Sequence, residues 1–413
     1  MDMRDVIYSH LDNYDFDIRK SKYARFSDQK CTPDIVSFVA DCIMNIISEK
    51  PLFTLYDIWE SQYFIRHTRV IFSKPWGNDV RARNEYDKLL AQPINLLKYA
   101  HILKEVGIQN RRTLLAIENE KLLDYISRRD SNAYEFLFCY FTKVLYDSDF
   151  IKHIEEYRRN CWGNVRVARD ELYGRFHRLI DGNTPTHSML DTKRIFHKII
   201  NIFACEYGIP GSNGDQCMVY TDLMYNRPNA RDFGKAKNIS RQEAIENAIE
   251  LDRLNEISAY YIQKAIRTIK KIEDRSEVKD AYARGDATQV HHIFPKHQYP
   301  QLAGTLENLI LLTPTQHFTK AHPNNNTQII DVSYQKVCLL SKVDSVEESI
   351  RLCGEQYYRK ASLVDVVNQG LNIDLSTKVS YIELKNAIKE EIKTIGKQQE
   401  VQITFKSEMS IRD

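Results

Sequence analysis

The stretch VHHIFPKHQYPQLAGTLENLILLTPTQHFTKAHP, residues 290–323, holds five of the chain's twelve histidines: His291, His292, His297, His317 and His322. The segment TQVHHIF is short, β-branched and aromatic, and reads as a strand ending near the histidine pair. PKHQYPQLAG, with two prolines and a glycine, reads as a loop. LENLILLT reads as a second apolar strand. PTQHFTKAH opens with Pro314 and Thr315, a helix start. Strand, loop, strand and helix in so few residues make a compact ββα unit.

The polar groups then fall into roles. Adjacent strand residues point to opposite faces, but at a frayed strand end His291 and His292 can share one cavity with different tasks. One imidazole can bind a metal while the other stays free to take a proton. His317, on the helix, can close on the same metal. Asn308 precedes an apolar run, where its amide can bridge the loop and fix a histidine's tautomer; taken alone, it is also an ordinary turn residue.

These residues resemble the HNH, or ββα-metal, nucleases: His291-His292 within VHHIFP for the first H, Asn308 within LENLILLT for the N, and His317 within PTQHFTKAHP for the second H. The resemblance covers about 40 residues. It implies that His292 is the general base activating water, that His291 and His317 ligate one divalent metal, and that Asn308 orients the base and pins the loop. One departure stands out. In many family members a further ligand follows the second H by one helical turn, but that position here is Ala321. His322 lies at plus five, about 140° round an ideal helix from His317. Either the helix is distorted, making His322 a ligand, or His322 is only nearby and water completes the shell. His297, in the loop, reads as a phosphate or solvent contact. Imidazole without thiolate permits Mg²⁺, Mn²⁺, Ni²⁺ or Zn²⁺.

The rest of the chain supplies the setting. The whole is expected to be mainly α with a small α+β part. Residues 1–150 read as helical, and PINLLKYAHILKEVGIQNRRTLLAIENEKLLDYI (93–126) has its own pattern. Leu96, Leu97, Ala100, Ile102 and Leu103 recur at helical spacing until Gly107 breaks the helix; RRTLLAIEN then reads as a strand and EKLLDYI as a helix. That order suits a winged helix with Arg111 and Arg112 on the wing, and equally a plain helical bundle.

Residues 151–240 form a basic linker or DNA-contact region. Within 152–178, seven basic residues against four acids leave +3, more than the +2 of the whole chain. Arg158, Arg159, Arg166 and Arg169 are interleaved with Tyr157, Trp162, Tyr173 and Phe176. Arginine forks and flat aromatic faces suit phosphates and bases; a solvated helix face with aromatics turned inward gives the same pattern. Residues 241–340 combine one long amphipathic helix, about 241–273 and opened by a Ser240/Glu243 capping box, with the ββα unit. Residues 341–413 are a C-terminal extension.

Composition narrows the function classes. At 413 residues, 43% hydrophobic and 28% charged, the chain is globular with room for two or three domains. Its eight cysteines form no CxxC pair, so a disulfide framework or cysteine zinc site is not expected, and the chain reads as cytoplasmic. No signal peptide, membrane span or GxxxxGK[ST] nucleotide loop is legible. The small net charge means that a nucleic acid must be held by a local patch. The expected function is therefore a sequence-specific, metal-dependent endonuclease of double-stranded DNA, of the bacterial restriction type. A homodimer is expected, since two strands need two active sites. The alternatives are a phage-defence or mobile-element HNH nuclease of looser specificity, and a DNA-binding protein with an inactive finger.

Overall fold

The computed structural model describes residues 2–72, 83–225, 248–322 and 331–391. The chain divides into two compact units, Arg4–Glu256 and Ile257–Asp413 with Met1–Met3. It is mostly helical with a few short antiparallel strands.

The first unit begins with α1 (Met3–Leu11), the single turn α2 (Ile18–Ser21) and α3 (Pro33–Ile46). Proline opens α3, where its missing N–H costs nothing, and ten of the fourteen α3 residues are buried. Such all-round burial makes α3 the central helix. Two shorter helices, α4 (Leu55–Glu60) and α5 (Gln62–Phe72), lead to α6 (Arg83–Tyr99).

The sequence pattern carries a helix through Leu103, but α6 stops at Tyr99. His101 adopts φ 55°, and Leu103 already opens strand β1 (Leu103–Gln109). Ile102 and Leu103 are buried as they leave the helix, so their helical spacing reflects burial and not helical continuity. β1 pairs antiparallel with β2 (Arg112–Ile117). Gln109 faces Arg112, leaving Asn110 and Arg111 as a two-residue tip with φ 50° and 63°. Positive φ at both central positions is what the right-handed twist of a tight hairpin demands.

Helix α7 (Glu120–Arg128) follows, capped where Asn119 Oδ1 accepts from Leu122 N at 3.0 Å. The apolar α8 (Asp130–Asp147) packs on α3 and α7. Then come α9 (Ile151–Asn160), α10 (Val165–Asn183) and α11 (Met189–Tyr207). Ser188 caps the start of α11, and Gly208, at φ 63°, ends it.

Helix α12 (Ala248–Ile272), which belongs to the second unit from Ile257 onward, covers the described part of the long helix expected over 241–273; the capping box Ser240/Glu243 lies outside the described residues. From its stripe Ala265 and Ile269 are buried. Strands β3 (Gln289–His292) and β4 (Leu309–Leu312) pair antiparallel, with His291 opposite Ile310 and His292 opposite Leu309. All four residues of β4 are buried, which explains its continuous apolar run. They pack with Ile293, Phe294 and the apolar faces of α13 (Val332–Cys353), α14 (Lys360–Leu371) and the helix over 381–391.

The outer edge of β4 is closed by Glu277. Its N–H donates to the Leu311 carbonyl at 3.0 Å, and its Oε1 accepts from Leu311 N at 2.8 Å. Its Oε2 meets the Lys342 ammonium at 2.9 Å, with the lysine side chain fully buried. A buried charge needs its partner, so this pair locks α13 to the β3–β4 ribbon.

Candidate metal centre

The local fold brings three histidines together. His291 projects from β3 to the interior, 2% exposed. After β4, Pro314 and Thr315 begin a helical turn that continues as a π-helix over Gln316–Ala321. His317 N still donates to Thr313 O, four residues back, but His322 N donates to His317 O, five residues back, at 3.0 Å. An α-helical register puts residue plus five on a different face; an i→i+5 register returns it above residue zero. The helix is therefore distorted, and His322 joins His317. Their ring centroids lie 4.9 Å apart, and the His291 ring lies 5.5 Å from His317 and 4.8 Å from His322.

One ring nitrogen from each histidine lies within 4.8 Å of the other two. Three atoms so placed lie within about 2.8 Å of a common point, and about 0.7 Å of contraction per ring reaches a metal–nitrogen length of ~2.1 Å. The polar accounting agrees. His291 Nε2 and His317 Nδ1 are buried and make no hydrogen bond, which ordinarily costs about 1–3 kcal/mol each. Burial and the neighbouring His322 and His317 push the His291 pKa well below its ordinary value; burial and His322 push that of His317 down to about 4. The His291 and His317 imidazoles are thus neutral, the state a metal needs. His291, His317 and His322 form a group that can hold a metal ion.

His292, the next residue, is held differently. Its Nε2 lies 3.0 Å from the Ala303 carbonyl oxygen. A carbonyl only accepts, so Nε2 carries the proton and Nδ1 keeps a free lone pair. Burial lowers the His292 pKa, with Lys296 adding to the effect against the Ala303 bond.

Asn308 is fully buried, and its amide hydrogen-bonds the loop backbone, not the His292 ring. Its Oδ1 accepts from Phe294 N at 2.8 Å, and its Nδ2 donates to Phe294 O at 3.0 Å and Leu302 O at 3.2 Å. It ties both ends of the loop together, and the atom that sets the His292 tautomer is the Ala303 carbonyl, one residue beyond the tie. Asn308 and the Ala303 carbonyl that meets His292 thus belong to one tied loop. His297 is exposed.

Two contributors carried no signal a spacing argument could use. Ala303 acts through its backbone. Gln316 is fully buried; its Nε2 donates to Val278 O at 2.8 Å and to Asp280 at 2.9 Å, and its Oε1 accepts from Thr313 N and Ser276. That amide anchors the start of the π-turn. A buried Gln between two polar threonines, Thr315 and Thr319, is indistinguishable in sequence from a solvent-facing one.

The arginines of the first unit are used unequally. Arg158 lies over the Tyr207 ring, 4.2 Å from its centroid, and near Glu155. Arg169 is occupied by the Gly211 and Gly214 carbonyls, at 3.3 and 2.7 Å, so it pins a loop. Arg159 and Arg166 are exposed. Of the interleaved aromatics, Tyr157 and Phe176 are buried and Trp162 is exposed. Arg111 is exposed at the hairpin tip, and Arg112 stacks on Tyr56 at 3.5 Å.

Among the described residues no helix is long and apolar enough to cross a membrane. No protein-family model, no curated protein and no solved structure matches the chain.

Proposed function

We propose that the chain is a metal-dependent HNH-type endonuclease of double-stranded DNA. The observation that carries this reading is the division of labour between neighbours: three imidazoles converge, two of them with buried nitrogens that have no hydrogen-bond partner, while His292 is fixed with its Nδ1 lone pair free. Three protein ligands leave a further position for substrate. A divalent ion held by His291, His317 and His322 supplies Lewis-acid stabilisation of a phosphodiester and its leaving oxygen; Mg²⁺, Mn²⁺, Ni²⁺ and Zn²⁺ all suit imidazole ligands.

His292 Nδ1 takes the proton of the attacking water, and the Ala303 carbonyl stabilises the imidazolium that results. Asn308 keeps the loop, and with it that carbonyl, in place. Sequence preference belongs to the first unit, where Arg158, Arg159 and Arg166 and the Arg111-Arg112 hairpin are the candidate contacts to DNA. Two cuts in a duplex call for two chains, hence a homodimer.

The test is nicking of supercoiled plasmid by the full-length protein with each metal in turn and with EDTA. Metal-dependent nicking that EDTA abolishes is the expected result. Discrete bands at completion support a restriction-type enzyme, and a smear supports the looser nuclease. Stoichiometric metal binding without any cleavage would sink the enzyme reading.

A further inference from the structure

The first unit contains a cavity whose reading does not rest on the histidine cluster. A cavity of about 430 Å³ lies between α10 and α11, walled by the loop around Ser212, Asn213 and Gly214. That volume falls in the range of small-molecule sites, about 300–1,000 Å³.

Its charge is one-sided. Arg166, Arg169 and Lys193 line it against a single acid, Asp170. Among the described residues neither Arg166 nor Lys193 is paired with a carboxylate. Arg169 is fixed by the wall, but its charge still faces the space. His197, on the same cavity, has its pKa lowered to about 4, first by burial and then by the neighbouring Lys193, Lys198 and Arg169.

The wall is built with care for its backbone. Asn201 Oδ1 accepts from Ser212 N at 2.7 Å, Tyr157 donates to Pro210 O at 2.9 Å, and Pro210 bridges Cys217. A side chain at Gly211 would collide with Met218 and Asn201. Within this fixed wall Ser212, only 7% exposed, presents a buried hydroxyl that has no hydrogen-bond partner. A buried hydroxyl left unmade is costly, and here it borders a cationic cavity. Tyr173 and Phe196 supply the aromatic part of the lining.

We propose that this cavity binds a nucleotide, with its phosphate on Arg166, Lys193 and the Ser212 hydroxyl and its ring against the Tyr173–Phe196 wall. An arginine fork and a lysine meet a phosphate with charge-assisted bonds, and a flat ring is favoured beside aromatic faces. The nucleotide comes either from a nucleic-acid strand or from the free pool; both offer the same phosphate and ring.

The test uses the full-length protein in EDTA, so that its outcome is independent of the metal site. Calorimetric titrations with deoxyadenosine 5′-monophosphate, deoxyadenosine and inorganic phosphate should show the monophosphate binding most tightly. The double variant R166E/K193E, at two exposed positions, should weaken it at least about tenfold, and Ser212→Ala should weaken it measurably while leaving circular dichroism unchanged. A 5′-phosphorylated single strand that displaces the monophosphate identifies a strand as the source; a strand that fails to displace it identifies the free nucleotide. No binding of the monophosphate, full binding by R166E/K193E, or phosphate and monophosphate binding equally tightly would each overturn the proposal.

Discussion

At the residue scale the site separates two kinds of histidine by what their ring nitrogens meet. His292 has one nitrogen satisfied by a carbonyl, whereas His291 and His317 each bury one that nothing satisfies. In the proposed mechanism His292→Ala removes the base and no ligand. Plasmid cleavage should fall by at least about 10²-fold, with metal content by elemental analysis unchanged; cleavage within tenfold of the parent removes His292 from that role. His322→Ala deletes a ring that the π-turn has brought over His317. Metal affinity by calorimetry should drop at least about tenfold, with partial rescue by excess metal. Undiminished affinity would make His322 a bystander, with water completing the shell. Asn308→Ala strips three buried hydrogen bonds from the loop. A loss of about 2–4 kcal/mol in unfolding free energy is expected, together with slower cleavage at full metal loading.

At the element scale, two turns depart from what their residues prefer. The β1–β2 tip holds Arg111 at φ 63°, a conformation costing an L-residue about 1–2 kcal/mol. Glycine is at ease there but pays about 0.5–1 kcal/mol more in chain entropy. Arg111→Gly should therefore stabilise the protein by roughly 0.5–1 kcal/mol in denaturant melts. If the tip also touches DNA, affinity falls at the same time and the salt dependence becomes shallower. The π-turn is the other case. It is held by the Gln316 amide, whose four partners come from two separate segments, Ser276–Asp280 and Thr313.

At the scale of the second unit, the ribbon, α13 and α14 share one apolar core with a charged pair, Lys342–Glu277, in its interior. Tyr358 donates to Glu273 at 2.8 Å and also contacts the lysine ammonium at 2.9 Å. Lys342→Met leaves Glu277 buried without its cation and should cost about 3–5 kcal/mol. Urea unfolding measures this directly. Because Glu277 also holds Leu311 in β4, metal affinity should weaken in step. A variant within 1 kcal/mol of the parent would show that the pair is dispensable.

What the sequence determined by itself is local. A short β-branched, aromatic segment and an apolar run mark β3 and β4, Asn308 before its apolar run marks the loop tie, and the histidine pair with His317 marks the cluster, because each of these signals is written within a few neighbouring residues. The helical spacing through Leu103 misleads for the same reason: Ile102 and Leu103 are buried just past the helix end at Tyr99 and prolong its apolar spacing, although the rest of β1 is exposed. Whether His322 belongs with His317 was undecidable from spacing, since an α-helix separates them and a π-turn joins them. That choice rests on Gln316 reaching Val278, Asp280 and Ser276, contacts about 40 residues away in sequence. The Ala303 carbonyl and the Ser212 cavity are likewise tertiary facts. They are backbone atoms and empty space placed by distant packing, and neither carries a side-chain pattern of its own.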